Sequence, residues 1–195
     1  MKTLSAQQIS EILGVSIAAG DPAACVSGQS GGGISNYNHP MGIVADATGN
    51  IYFTDFANDC IYKLDAADNR DSCLFAGFPF QPGHTDALGS QASFTSPNQL
   101  FIDNNNTIFV AEKSRIRSIS PSGNVSTFIA DTNLADPTGI AFQPGNPNLA
   151  YVSGGSDHTI IKIERQGTKL VSSIFAGKKR QSGYVDGVGV AARFI

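Results

Sequence analysis

Three histidines, His39, His84 and His158, are the residues of this chain best suited to hold a transition metal or move a proton, and carboxylates recur near them at Asp46, Asp55, Asp103 and Glu112. Their settings differ. His39 precedes Pro40, His84 lies in a glycine-rich stretch, and His158 opens a run of Thr and Ile, so convergence on one zinc ion is not expected. Asp55, Glu112 and His158 are retained as the metal candidates, for calcium or zinc. Asp46 with Asp103, and Asp55 with Glu112, stand at matched places in their segments, and backbone bonding within turns accounts for that recurrence more simply than a metal does. Basic residues cluster twice, as Lys113, Arg115 and Arg117 and as Lys178, Lys179 and Arg180, and these are the candidates for phosphate or nucleic-acid contact. Arg115 and Arg117 alternate with Ile116 and Ile119 in the manner of a solvent-facing strand edge, which favours a hydrated face. The net charge of -3 and pI near 5.5 supply no positive field for nucleic acid or an anionic membrane. There is no phosphate loop or H-E-x-x-H to support nucleotide or zincin chemistry. The three cysteines, Cys25, Cys60 and Cys73, include no C-x-x-C pair. Cys60 and Cys73 bracket a predicted hairpin and are expected to be buried thiols, a bridge between them being the alternative.

The elements that would carry these residues follow from repetition. The chain is 195 residues long and 41% apolar, enough to bury a core, while its charged share of 15% is low and its 21 glycines point to many turns between short strands. Pro40-Met41-Gly42-Ile43-Val44-Ala45-Asp46 returns as Pro97-Asn98-Gln99-Leu100-Phe101-Ile102-Asp103 and as Pro137-Thr138-Gly139-Ile140-Ala141-Phe142. Second strands are predicted at 50–55, 106–112 and 148–153, and third strands at 60–64, 115–119 and 159–163, all with two-residue alternation. Fourth strands close on Leu74-Phe75-Ala76-Gly77, Thr127-Phe128-Ile129-Ala130 and Ile174-Phe175-Ala176-Gly177, with an earlier copy at Ser16-Ile17-Ala18-Ala19-Gly20. Two of them lead into one linker pattern, Gly83-x-x-Asp86-Ala87-x-Gly89-x-x-Ala92-Ser93-Phe94 and Gly183-Tyr184-Val185-Asp186-Gly187-x-Gly189-x-x-Ala192-Arg193-Phe194.

An Ala-Gly strand end, this linker, a Pro-initiated strand and then G-N-I-Y-x-x-D and R-I-x-x-I together resemble the NHL repeat over about residues 15–195. The resemblance implies an all-β fold, a β-propeller of four-stranded antiparallel blades at about 40–77, 97–130 and 137–176. A lone sheet cannot bury both faces, so blades stack around an axis. Phe94 and Phe194 would fill the gaps between blades, and Asp86 and Asp186 would bond linker amides. Residues 15–20 would be the strap that completes a last blade, and three blades would form half of a six-bladed ring. Truncation of a longer chain is expected over self-pairing of two copies to complete the ring. Residues 1–14 form an N-terminal extension in which Leu4–Leu13 read as a short helix with Ser5 and Gln8 as a capping box.

The resemblance implies a non-enzymatic binding or scaffold module that holds a protein or small ligand on a propeller face, with no cofactor. A metal-dependent lyase or lactone-type hydrolase at the propeller axis is the alternative, and RNA binding through a basic face a lesser one. The amidating lyase similar to this family gathers zinc-binding histidines from several blades, which the placement of the three histidines does not match. No apolar run reaches the ~20 residues of a membrane helix, and Gln7, Gln8 and Glu11 interrupt any signal-peptide core, so compartment is unassigned. Asn105-Asn106-Thr107 and Asn124-Val125-Ser126 fit the glycosylation acceptor pattern and fall in predicted turns.

Overall fold

The structure, a computed structural model, describes residues 37–66 and 72–195; the predicted helix at Leu4–Leu13 and the strap at 15–20 lie outside the described residues. Three four-stranded antiparallel sheets follow one another along the chain. The first comprises β1 (Pro40–Ala45), β2 (Ile51–Asp55), β3 (Cys60–Leu64) and β4 (Ser72–Ala76). The second comprises β5 (Leu100–Ile102), β6 (Ile108–Glu112), β7 (Arg115–Ile119) and β8 (Val125–Ala130). The third comprises β9 (Pro137–Gln143), β10 (Asn146–Gly154), β11 (Thr159–Gln166) and β12 (Lys169–Gly177). Strands pair in sequence order within each sheet, as in a propeller blade. Carboxylates close the first turns: Asp46 Oδ1 accepts the amides of Thr48 at 2.9 Å and Asn50 at 3.0 Å, and Asp103 Oδ1 those of Asn105 at 2.9 Å and Thr107 at 2.8 Å. Burial pushes the Asp46 carboxyl up, but the bonds from Thr48 and Asn50 outweigh it and hold the group below its ordinary value.

The sheets bury themselves against one another. Tyr52, Ile61 and Phe75 of the first blade meet Ile108, Val110 and Ile119 of the second, with Phe94 of the intervening linker among them. Phe109, Ile116 and Ile129 of the second blade meet Ile140, Val152, Ile161 and Ile163 of the third. The middle strand β6 is buried along its whole length, since it is covered on both faces. At the inner edge Thr54 Oγ1 accepts the Gly42 amide at 2.8 Å and donates to the Asn98 carbonyl at 2.8 Å, tying β1 and β2 to the next blade. A Cβ on Gly42 would stand 2.6 Å from that same carbonyl oxygen, so the close approach needs glycine.

Each fourth strand carries an irregularity at the same place. Ile61 and Tyr62 pair with Ala76 and Leu74, Ile116 and Arg117 with Ile129 and Thr127, and Ile160 and Ile161 with Ala176 and Ile174, so the extra residue is Phe75, Phe128 or Phe175. The bulge turns that phenylalanine onto the face toward the following blade. There it meets the aromatic of the second strand edge-on: Tyr52–Phe75 at 4.9 Å, Phe109–Phe128 at 5.0 Å and Tyr151–Phe175 at 4.9 Å.

Cys60 is buried and free, and Cys73 is disulfide-bonded, so neither a Cys60–Cys73 bridge nor a pair of free thiols is present. The antiparallel register sets Cys73 opposite Lys63 and Cys60 opposite Asp55, which keeps the two sulfurs on different rungs. Burial pushes the Cys60 thiol far above its ordinary value, with Asp55 adding to it.

Candidate functional site

Because antiparallel strands alternate in direction, the turns between second and third strands lie at the same end of the blades as the linkers. All the metal and basic candidates gather at that end. Asp55 and Glu112 hold equivalent places at the ends of β2 and β6, and both are fully buried. Asp55 accepts the Asn38 amide at 3.0 Å and the Asn58 side chain at 2.8 Å. Glu112 accepts the Thr95 amide at 2.8 Å. Each carboxylate thus ties down the segment that leads into its own blade's first strand. That segment is strained: His39, Ser96 and Asp136, each immediately before a proline, have φ of 59°, 51° and 45°. Repetition in all three blades marks the strain as a requirement of the fold.

Arg117 corrects the sequence reading most sharply. It is fully buried, not part of a hydrated strand edge, because residues 83–94 lie across the face from which it projects. Its Nη1 donates to Glu112 Oε1 at 3.0 Å and the Ser93 carbonyl at 2.9 Å; its Nη2 donates to Asp86 Oδ1 at 2.7 Å and the Thr85 carbonyl at 2.8 Å. The guanidinium also stands 5.1 Å from the centroid of the Phe94 ring. Asp86 in turn accepts the Thr127 amide at 3.0 Å and the Thr127 hydroxyl at 3.0 Å. It therefore clamps the linker to β7 and β8 of the next blade, a correction to the expectation that it bonds the linker's own amides. Burial raises the Asp86 carboxyl, but the Thr127 amide and the Arg117 guanidinium outweigh it and bring it below the ordinary carboxylate value.

The remaining candidates form the rim. Arg115 Nε lies 3.9 Å from Glu112, and His84 Nδ1 lies 3.3 Å from the same carboxylate oxygen. Lys113 and Lys178 are exposed. Lys179 Nζ reaches buried Asp157 at 3.2 Å and the Thr132 carbonyl at 2.9 Å, while Arg180, 84% exposed on its side chain, approaches Asp157 at 3.7 Å. His158 occupies the tight turn before β11 with φ of 55°, and its Nδ1 is buried with no hydrogen-bond partner. The structure brings Glu112, Arg115 and Arg117 together with His84, which sequence reasoning left in a linker without a partner. Asp55 and His158 stay apart from that cluster. Among the described residues no three His, Cys, Asp or Glu side chains form a metal-ligating group, and no helix is long and apolar enough to cross a membrane.

No family model matches the chain. It is similar to a structural genomics protein of unknown function from Bacteroides thetaiotaomicron, with 18% identity over 80% of this chain and 40% of that one and a TM-score of 0.58. A chain of the nidogen/laminin complex is 19% identical over 75% of this chain and 51% of that one, with a TM-score of 0.53. Virginiamycin B lyase from Staphylococcus aureus is 15% identical over 73% and 43%, with a TM-score of 0.53. These likenesses show the fold, a β-propeller, and this chain spans between 40% and 51% of the length of those structures. Expectations about blade architecture therefore hold.

Proposed function

We propose that this chain is a binding module of an NHL-type β-propeller, holding a protein or small ligand at the rim where the linkers cross and performing no catalysis. The observation that carries this reading is the fate of the polar candidates. Asp55, Glu112 and Arg117 are fully buried and bonded to the structure, so these two carboxylates and this guanidinium are spent on positioning linkers. What faces outward at the same end is a mixed apolar and basic surface, with His39, Phe80, Lys113 and Arg180 exposed, of the composition that favours contact with a partner. The likeness to a chain of a solved protein–protein complex, nidogen/laminin, is consistent with this use of the fold.

The test is a three-arm binding study on the purified chain. Purified candidate proteins and small ligands are titrated by biolayer interferometry against the native chain and against the Lys113→Glu/Arg180→Glu variant; calcium and zinc are screened by thermal shift; and single-stranded RNA is tested by filter retention at two salt concentrations. The expected result is a ligand whose binding is weakened at least tenfold in the rim variant at unchanged melting temperature. A melting shift with calcium or zinc together with lactone or lyase turnover moves the assignment to a metal-dependent enzyme, and salt-sensitive RNA retention moves it to nucleic acid.

A further inference from the structure

Arg115 is a charged group that the fold does not ask for. It is the first residue of β7 and stands opposite Glu112, the last residue of β6. The repeat sets Cys60 opposite Asp55 in the first blade and Thr159 opposite Gly154 in the third, and both are enclosed, at 0% and 3% exposure. A small uncharged side chain therefore satisfies this position in the other two blades. With Arg117 in place, Glu112 has little need of Arg115 either. Its Oε1 takes Arg117 at 3.0 Å and its Oε2 the Thr95 amide at 2.8 Å, whereas Arg115 Nε stops 3.9 Å away, beyond hydrogen-bonding range.

The result is a guanidinium that is held in place without being used. Arg115 Nε is shut off from water and has no hydrogen-bond partner, while the side chain keeps 22% exposure, so the Nη fork is the part that reaches the rim. An enclosed donor left unpaired opposes folding, which points to a role outside folding. His84 stands beside the same carboxylate oxygen, with Nδ1 at 3.3 Å and a side chain 36% exposed. Glu112 is the anionic partner of Arg117 and can only accept, so Nδ1 carries the ring proton and Nε2 is left as an acceptor. The second linker has Tyr184 where the first has His84, so this histidine is not a requirement of the linker. Lys113, exposed in the turn between β6 and β7, adds a cation beside them.

We infer that Arg115 and His84 form a binding site for a carboxylate whose adjacent carbon bears an N–H or O–H donor, the grouping found at the C-terminus of a peptide and in a 2-hydroxy acid. The carboxylate lies along the Nη fork, two acceptors against two donors in one plane. The neighbouring donor bonds His84 Nε2. Phosphate is a poorer match, because its further charge and oxygens have no second fork and meet the lone pair of the imidazole. The inference rests on the rim being the binding surface and assigns the chemistry of what binds there.

The experiment titrates the 15N-labelled chain with lactate, propionate, inorganic phosphate and an N-acetylated dipeptide with a free C-terminus, at ionic strength held constant with sodium chloride. It follows the Arg115 Nε–H resonance, identified by its absence from Arg115→Thr. Lactate or the dipeptide is expected to shift that resonance saturably, with a Kd of about 1 mM or tighter. Propionate should bind about fivefold more weakly for want of one hydrogen bond, and His84→Ala should remove the difference. The tighter of lactate and the dipeptide tells whether a small acid or a protein end supplies the carboxylate. Arg115→Thr, which installs the third blade's residue, should melt within about 3 °C of the native chain. A larger fall makes Arg115 a structural counter-ion of Glu112 and overturns the inference. So does a resonance that no probe shifts or that chloride shifts equally, propionate binding as tightly as lactate, or phosphate binding more tightly than either. A partner whose binding is weakened by Lys113→Glu/Arg180→Glu but not by Arg115→Thr leaves the rim reading standing and removes this one.

Discussion

Replacing Arg117 with methionine tests whether the linker clamp rests on buried charge. The substitution keeps an unbranched apolar stem and removes four hydrogen bonds, two of them to the linker carbonyls of Thr85 and Ser93. The group left exposed to the consequence is Glu112, which has no solvent access and keeps His84 Nδ1 at 3.3 Å and Arg115 Nε at 3.9 Å. Removing one partner of a buried ion pair costs about 3–5 kcal/mol. The lower end applies here, because the Thr95 amide at 2.8 Å and Arg115 still stabilise the carboxylate. About 3 kcal/mol is expected, equivalent to a fall of about 6–12 °C in melting temperature for a chain of this size. The chain has no tryptophan, so urea unfolding is best followed by far-ultraviolet circular dichroism, with an unchanged slope showing that the cost is one of stability. The double variant Arg117→Met/Glu112→Leu leaves no charge uncompensated in the core and should recover to within about 1.5 kcal/mol of the native chain. A single-variant cost below about 1 kcal/mol, or a double variant as costly as the sum of its parts, would show that the pair is not what fixes the linker.

Phe75→Ala should cost about 3–5 kcal/mol by opening a cavity between blades, whereas Phe175→Ala, the same residue of the repeat on the open face, should cost about 1 kcal/mol or less in the same urea assay. Gly42→Ala drives a methyl to 2.6 Å from the Asn98 carbonyl and should cost about 1–3 kcal/mol through overpacking, measured by thermal unfolding. Cys60 should escape alkylation by iodoacetamide at pH 8 in the native chain and react fully in guanidinium, as peptide mass mapping reads out, because burial raises its thiol. Asp46 and Asp86 are both held below the ordinary carboxylate value of 3.8, so their contribution is fully present above that pH and is lost as pH falls through the lower folded value. An Asp46→Asn/Asp86→Asn variant should accordingly lose less stability between pH 5 and pH 2 than the native chain does, by urea titration at each pH.

The strands were legible because alternation and prolines mark them, yet alternation says which side chains share a face and not what lies over it. Arg117 was misread for that reason: its alternation with Ile116 and Ile119 is real, but an inner blade is covered on both faces, and the cover comes from a linker distant in sequence. β5 begins at Leu100 although its proline is Pro97, because the intervening residues bond β6 outside regular pairing, with the Asn98 amide on the Ala111 carbonyl at 2.7 Å. The phenylalanine before each fourth-strand ending was visible as a repeated letter; its bulge was not, since one inserted residue reverses which neighbours share a face without altering composition. The hairpin of β11 and β12 reaches Gln166 and Lys169, beyond its repeat equivalents, and its polar outer residues gave no apolar signal to extend it.

The linker that closes on itself has a consequence for how such a chain is built during synthesis. The bond from Gly83 to the Phe94 carbonyl spans a short loop within the linker itself, so the entropy of ordering that loop is met locally before β5 pairs. On a ribosome, where chain emerges from its N-terminal side, this linker is then a preformed landing platform, and the second blade has only to dock and not to search. Growth by addition to a waiting surface favours one direction and one register, and shortens the time for which an aromatic-lined sheet face stands open to aggregation.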